Sequence, residues 1–242
     1  MPTEMDLAIG LADAIANDRA DVDSTPYREL DLDGAKRVQA LVQKLRRENP
    51  YVIKTALPNG VVMGASIFRP TVTEGRSASV SSALLEGVEV EVAAVLGRDI
   101  DVGMGEAAVR DAIDRYVVGI ELIGSRFTER VGAGLMAELA DNLSTAGYVT
   151  DTSRAWEHGP ELAGADVEVR HDGKVIYAAP AKPIFGHVLT SLIAYAREPF
   201  PSLPLKAGMI VTTGTLCGLV AVPGPGHVSA RLAHHSYDLA SG

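Results

Sequence analysis

The amino-acid sequence predicts a mixed α/β (α+β) chain, with a mainly helical N-terminal region over residues 1–60 and a β-rich core over residues 61–242. Three observations lead there. Apolar residues recur at helical spacing up to Pro50. From Tyr51 the apolar runs shorten to strand length and are divided by Gly, Pro and Asn. The later segments lack the regular strand–helix alternation of a doubly wound sheet.

Leu7, Ile9, Leu11, Ala12 and Ile15 mark a first helix, ended by a polar stretch with Pro26. In "DLDGAKRVQALVQKLRREN" the residues Ala35, Val38, Leu41, Val42 and Leu45 form one stripe of a second helix, closed by Pro50. "YVIKTAL" and "VVMGASIF" read as short strands around a Pro58-Asn59-Gly60 turn. Val88 to Leu96 is a further strand. "GEAAVRDAIDRYV" has helical spacing, "VVGIELIG" is strand-like, and "GLMAELADN" is helical. "ADVEVRHDGKVIYAA" is a hairpin turning at Asp172-Gly173. "TSRAWEHGPEL" reads as a loop, "FGHVLTSLIAYARE" as a helix, and "PLKAGMIVTTGT" and "GHVSARLAHH" as late strands.

With 242 residues, 47% of them hydrophobic, the chain can bury a sizeable core. Its 22 basic against 31 acidic residues leave a net charge of −9, which argues against nucleic acid or an anionic membrane as partner and favours attraction of a cation. Cys217 is the single cysteine, so neither an internal disulfide nor a thiolate metal site is available. Glu4 and Asp6 stand where an export signal wants basic residues, and no apolar run reaches the length of a membrane span. A soluble, cytoplasmic protein is expected. The sequence contains no GxGxxG, GxxxxGK[ST], HExxH or GxSxG, which removes the commonest nucleotide, zinc-protease and serine-hydrolase chemistries.

The chemistry-bearing feature is "EGVEVEVAAVLGRDI". Val88, Val90 and Val92 share one face of the strand, and Glu89 and Glu91 share the other. Two carboxylates on one face repel unless something positive lies between them. Glu121 sits in the apolar segment "VVGIELIGS", where a lone glutamate is costly unless paired or metal-bound. Together the three acids fit an all-oxygen site for a hard divalent cation, with magnesium the best match and manganese or calcium alternatives. Spacing alone fits another arrangement equally well: Glu89 and Glu91 on a solvated edge strand, with Glu121 paired to an arginine such as Arg126.

These residues carry a family resemblance. "VEVEVAAVLGRDI", then Glu121 in "GIELIGSRF", then "LADNLSTAGYV" resembles the fumarylacetoacetate hydrolase superfamily, and within it the 2-keto-4-pentenoate hydratase and 4-oxalocrotonate decarboxylase branch. "IKTAL", "FGHVLTSLIAYA" and "LKAGMIVTTGTL" resemble further segments of that branch, so the similarity runs through the whole chain in order. The resemblance implies a fumarylacetoacetate hydrolase-like core, a homo-oligomer, Glu89, Glu91 and Glu121 as metal ligands, and Lys54 as the active-site lysine. Gly124 stands where the branch usually has aspartate, and Pro58 where it often has threonine. Met209 and His227 also replace aspartates, and "FRPTV" at Phe68 to Val72 lacks an acidic residue often found there.

A cation on three carboxylates can chelate a short 2-oxo acid and, as a Lewis acid, stabilise its enolate. The resemblance implies hydration of a 2-hydroxy-2,4-dienoate from aromatic ring cleavage, with 4-oxalocrotonate-type decarboxylation, acylpyruvate C–C hydrolysis and a non-catalytic metal-binding subunit as alternatives. Lys54, beside a cation and partly buried, is expected to have a lowered pKa and to shuttle protons. Asn142 and Ser144 in "ADNLSTAG" either bind substrate or cap a turn. Thr215 either lines the pocket or closes a turn. Lys182 is a loop lysine that could reach a distal carboxylate. His234 and His235, as adjacent strand residues, should face opposite ways and stay on the surface. Cys217 reads as a small buried residue.

Overall fold

The computed structural model describes residues 2–68, 71–81 and 84–242; Arg69 and Pro70 of the "FRPTV" stretch lie outside them. Helix α1 (Glu4–Ala16) begins at a capping box in which the Thr3 hydroxyl accepts from the Asp6 amide and the Asp6 carboxylate accepts from the Thr3 amide. Helix α2 (Leu32–Arg46) is capped by Asp31, whose carboxylate accepts from the Gly34 amide at 2.7 Å. Leu7, Leu11, Val38 and Val42 bury the shared face of the two helices in the main core.

Residues 1–60 also supply strand β1 (Pro50–Ala56), which pairs with β2 (Met63–Phe68), so the 60/61 boundary falls within a β-hairpin. The remaining strands are β3 (Val72–Glu74), β4 (Ser77–Val80), β5 (Gly87–Leu96), β6 (Ile113–Ile123), β7 (Thr145–Ala155), β8 (Asp166–His171), β9 (Lys174–Pro180), β10 (Ile210–Thr212), β11 (Val220–Ala221), β12 (Gly226–Leu232) and β13 (His235–Ser241). Between them stand α3 (Glu106–Asp111), α4 (Arg130–Ala133), α5 (Leu135–Ala140) and α6 (Thr190–Arg197). The large sheet runs β2-β1-β10-β5-β6-β7-β3, with β11 also on β5, and the smaller one runs β4-β13-β12-β8-β9.

The large sheet curls. β2 touches β7 although four strands separate them, and the Ser66 amide donates to Asn142 Oδ1 at 3.3 Å across that seam. The curl gives β5 two buried faces. On the outer face Val88, Val90, Val92, Ala94 and Leu96 pack in the main core. On the inner face Ala93 and Val95 join Val52, Ile67, Val117, Tyr148 and Ile210 in a separate apolar cluster. Glu89 and Glu91 share that inner face by alternation. No solvated edge strand exists at this point.

Three segments differ from the sequence expectation. The helix in "GEAAVRDAIDRYV" stops at Asp111, and Ile113 starts an eleven-residue strand. Ile113, Val117 and Val118 are β-branched, and pairing with β5 along its whole length outweighs the helical spacing. The "TSRAW" loop is in its first part the end of β7, which reaches Ala155. The helix in "FGHVLTSLIAYARE" is confined to Thr190–Arg197.

Candidate metal centre and its cleft

Register brings the acids together. β5 and β6 run antiparallel with Glu121 directly opposite Glu89 and Gly119 opposite Glu91. Carboxylate oxygens of Glu89, Glu91 and Glu121 lie within 4.8 Å of one another. Like charges opposed across a ladder are destabilising by themselves. Lys54 approaches from β1, beside Thr212 of β10, which in turn pairs with Ala93 of β5. Its Nζ donates to Glu121 Oε1 at 2.7 Å and to the Leu143 carbonyl at 3.3 Å.

One ammonium does not balance three carboxylates. Glu121 Oε1 is well served, since Thr145 Oγ1 donates to it as well as Lys54. Both oxygens of Glu91 and Glu121 Oε2 are buried with no hydrogen-bond partner, and the Thr212 hydroxyl faces Glu91 without closing a bond to it. A buried carboxylate oxygen without a partner is expensive. Burial, and then the Glu121 and Glu89 charges, push the Glu91 carboxyl well above its usual range. Glu89, on the cleft wall, is raised to about 7, again by burial first, with Lys54 opposing. The formal charge of −2 and the unserved oxygens are what a doubly charged, oxygen-preferring cation satisfies, so the donor set fits such an ion. The sequence expectation for Lys54 concerns a lysine beside a bound cation; without the ion the balance is different. Burial works to lower its pKa, but the three carboxylates outweigh burial and hold the ammonium above the ordinary lysine value.

Tyr148 packs beside the acids. It lies opposite Glu121 on β7, and its ring crosses Gly119, where an added Cβ would stand 1.9 Å from the phenol oxygen. Burial, then Glu91 and Glu121, raise its pKa well above the usual range.

A buried clamp sets the turn below the centre. Arg126 Nε donates to Asp141 Oδ1 at 2.5 Å, Nη2 donates to the Asp141 carbonyl at 2.6 Å, and Nη1 donates to the Gly124 and Thr145 carbonyls. Ser125 Oγ also donates to Asp141 Oδ2, at 2.9 Å. Arg126 therefore serves Asp141 and not Glu121, which corrects the alternative pairing. Beyond the clamp, Asn142, Leu143 and Ser144 all take left-handed conformations, with φ of 51°, 55° and 57°. For L-residues that costs roughly 1–2 kcal/mol each, less for asparagine. The strained turn aims the Leu143 carbonyl at Lys54.

A cleft of about 540 Å³ opens from the centre; Lys54, Glu89, Leu143 and Thr215 are on its wall. Asn142 and Ser144 are not on that wall: Asn142 ties the roll seam, and the Ser144 hydroxyl is buried without a partner. The Thr215 hydroxyl accepts from the Cys217 amide and donates to the Gly218 carbonyl, closing its own turn at the cleft edge. Lys182 is exposed, and neither it nor any histidine lines the cleft. At Gly124 an added Cβ would meet the Leu84 carbonyl oxygen at 1.7 Å, so this backbone path has no room for the aspartate usual in the branch. His227 is exposed, 3.4 Å from Asp238, and stands away from the cleft.

His234 and His235 do not diverge as expected. His234 occupies the turn between β12 and β13, and both imidazoles reach Glu157, at 3.0 and 3.3 Å. The pair thereby joins the small-sheet hairpin to the segment after β7.

Thr145, Tyr148, Thr212 and Asp141 were not singled out by the sequence, and Arg126 was named only as a partner for Glu121. Each is an ordinary residue in an ordinary context. The one available signal was Gly119 inside an otherwise bulky strand, a mark of close approach by another group.

Known proteins share this arrangement of strands. The fumarylacetoacetate (FAA) hydrolase C-terminal family matches residues 40–237. The TodF product hydratase of Pseudomonas putida is 30% identical over 167 residues, covering 66% of this chain and 60% of that protein. A 2-keto-4-pentenoate hydratase of Burkholderia vietnamiensis is 26% identical over 192 residues, covering 78% of this chain and 73% of the relative. Among solved structures, 4-oxalocrotonate decarboxylase from Pseudomonas putida G7, complexed with magnesium and adipate, superposes with a TM-score of 0.83 at 19% identity, covering 99% of this chain and 97% of the other. No helix among the described residues is long and apolar enough to cross a membrane. The converged acids, the curled sheet that holds them and the family match over most of the sequence lead to one conclusion: the chain belongs to the fumarylacetoacetate hydrolase family.

Proposed function

We propose that this protein is a divalent-cation-dependent hydratase that adds water to a short 2-hydroxy-2,4-dienoate, with Glu89, Glu91 and Glu121 holding the ion and magnesium the preferred one. The observation that carries the proposal is the set of buried, unpartnered oxygens on Glu91 and Glu121, next to the Lys54 and Glu89 side chains that line the cleft. When bound, the cation supplies a Lewis acid for the carboxylate and 2-oxygen of a 2-oxo acid. The chain's own groups do the rest. Lys54, held by Glu121 and the Leu143 carbonyl, carries a proton at the cleft wall and donates hydrogen bonds to an anionic intermediate. The dienol first ketonises, moving its hydroxyl proton to carbon. Water then adds across the remaining conjugated double bond. Tyr148 and the apolar cluster behind it keep bulk water from the far side of the carboxylates.

Hydration is favoured over decarboxylation of a diacid by one observation. Apart from Lys54, the cation on the described cleft wall is Arg130, and its Nε is committed to Glu86 at 2.7 Å. The names of the similar hydratases agree with this choice, and that of the solved decarboxylase keeps the alternative in play. C–C hydrolysis has less support, because no histidine base lines the cleft. Homo-oligomer formation and a cytoplasmic location, implied by the family resemblance and the single cysteine, are part of the proposal; light scattering on the eluting protein checks the first.

The test is incubation of the purified chain with magnesium and either a 2-hydroxy-2,4-dienoate or 4-oxalocrotonate. Loss of dienoate absorbance with stoichiometric hydrated product supports the proposal. Carbon dioxide release from the diacid alone assigns the decarboxylase, and metal binding without turnover of either assigns a non-catalytic subunit.

A further inference from the structure

The apolar side of the cleft bears on the part of the substrate beyond its 2-oxo acid end. Leu57, Leu135, Ile184, Phe185 and Leu219 line it. Ile184 is 58% exposed and Leu219 39% exposed, so these two large apolar side chains of the lining are open to a ligand. The charges there are already matched. Arg130 donates to Glu86 at 2.7 Å, and its Nη1 lies 4.0 Å from Glu138 Oε1, so one cation faces two carboxylates. Glu138 is itself on the cleft wall. A second carboxylate arriving here finds, among the described residues of the lining, no positive group without a carboxylate partner, meets Glu138, and would be desolvated against leucine and phenylalanine.

We infer that this wall is a subsite for an uncharged hydrocarbon substituent on the distal carbons of the substrate, and that it excludes dicarboxylates. The inference rests on the 2-oxo acid reading of the metal end. A cleft of about 540 Å³ gives a longer chain than a five-carbon acid room to lie along Leu57, Leu135 and Phe185.

Binding tests the subsite without turnover. The magnesium-loaded protein is titrated calorimetrically with pyruvate, 2-oxohexanoate, 2-oxooctanoate and 2-oxoadipate. Each methylene buried against the wall should tighten binding about fourfold. 2-Oxoadipate should bind at least about tenfold more weakly than 2-oxohexanoate, which has the same carbon count. Replacing both acids, Glu86→Gln with Glu138→Gln, frees Arg130 and should reverse that order, leaving 2-oxohexanoate within about twofold of wild type. Phe185→Ala should weaken 2-oxooctanoate about tenfold and leave pyruvate unchanged. Pyruvate binding with no dependence on chain length, or 2-oxoadipate binding as tightly as 2-oxohexanoate in the wild-type protein, overturns the subsite and leaves the proposed function standing. Failure of every acid to bind, pyruvate included, overturns both.

Discussion

Replacing Glu91 by leucine should stabilise the metal-free protein and abolish its response to magnesium. Glu91 is fully buried in the inner face of β5, and neither of its oxygens has a partner. An unsatisfied buried polar group costs about 1–3 kcal/mol, and the neighbouring Glu89 and Glu121 add repulsion. Leucine has similar volume and leaves the Lys54–Glu121 pair intact. Glu91→Leu should therefore gain about 2 kcal/mol in EDTA, or roughly 4–8 °C in Tm for a chain of this size. Wild type should gain about 2.7 kcal/mol at a magnesium concentration one hundred times Kd, and the variant nothing. The difference also depends on pH. Glu91 and Glu89 have folded pKa values raised above their unfolded ones, so the folded state keeps protons that the unfolded chain releases. Metal-free stability is then fully present below the unfolded value of about 4.5 and falls as pH rises through about 7, the Glu89 value. Differential scanning calorimetry at pH 5 and pH 8, in EDTA and in magnesium, reads all of this. A Glu91→Leu protein that melts below wild type in EDTA, or that still rises in Tm with magnesium, refutes the reasoning.

Lys54→Met should lower kcat by about 10²–10⁴ while magnesium affinity holds or rises, because the variant loses a positive neighbour of the acids; magnesium calorimetry beside steady-state kinetics separates the two effects. Without metal the same variant should lose about 3–5 kcal/mol, since buried Glu121 loses its ammonium and keeps only the Thr145 hydroxyl. Gly124→Asp, which restores the aspartate usual in the branch, should lower Tm without raising kcat/KM, because its Cβ would enter the Leu84 carbonyl. Leu143→Gly should relieve roughly 1–2 kcal/mol of left-handed strain, which partly offsets the lost side chain in denaturant melts. It should nonetheless slow turnover by loosening the carbonyl that holds Lys54.

What was legible before any coordinates were local periodicity and local anomaly. Period-two alternation put Glu89 and Glu91 on one face, and three glutamates in apolar segments stood out because buried acids are rare. Lys54 was legible through the family resemblance. Thr145, Tyr148 and Thr212 were not, because a threonine or tyrosine in a strand breaks no rule and draws no notice. Helical spacing misled at Ile113 to Val117, where nothing within the segment reports that β5 will pair with it.

The sequence by itself determined which residues face which way along each strand, because side-chain alternation is a property of one backbone. Only the tertiary structure decided that Glu121 stands opposite Glu89, that Arg126 serves Asp141, and that a strained turn delivers the Leu143 carbonyl to Lys54. Register and curl come from pairing between segments distant in the chain, so the charge imbalance that calls for a cation exists only once the sheet has closed on itself.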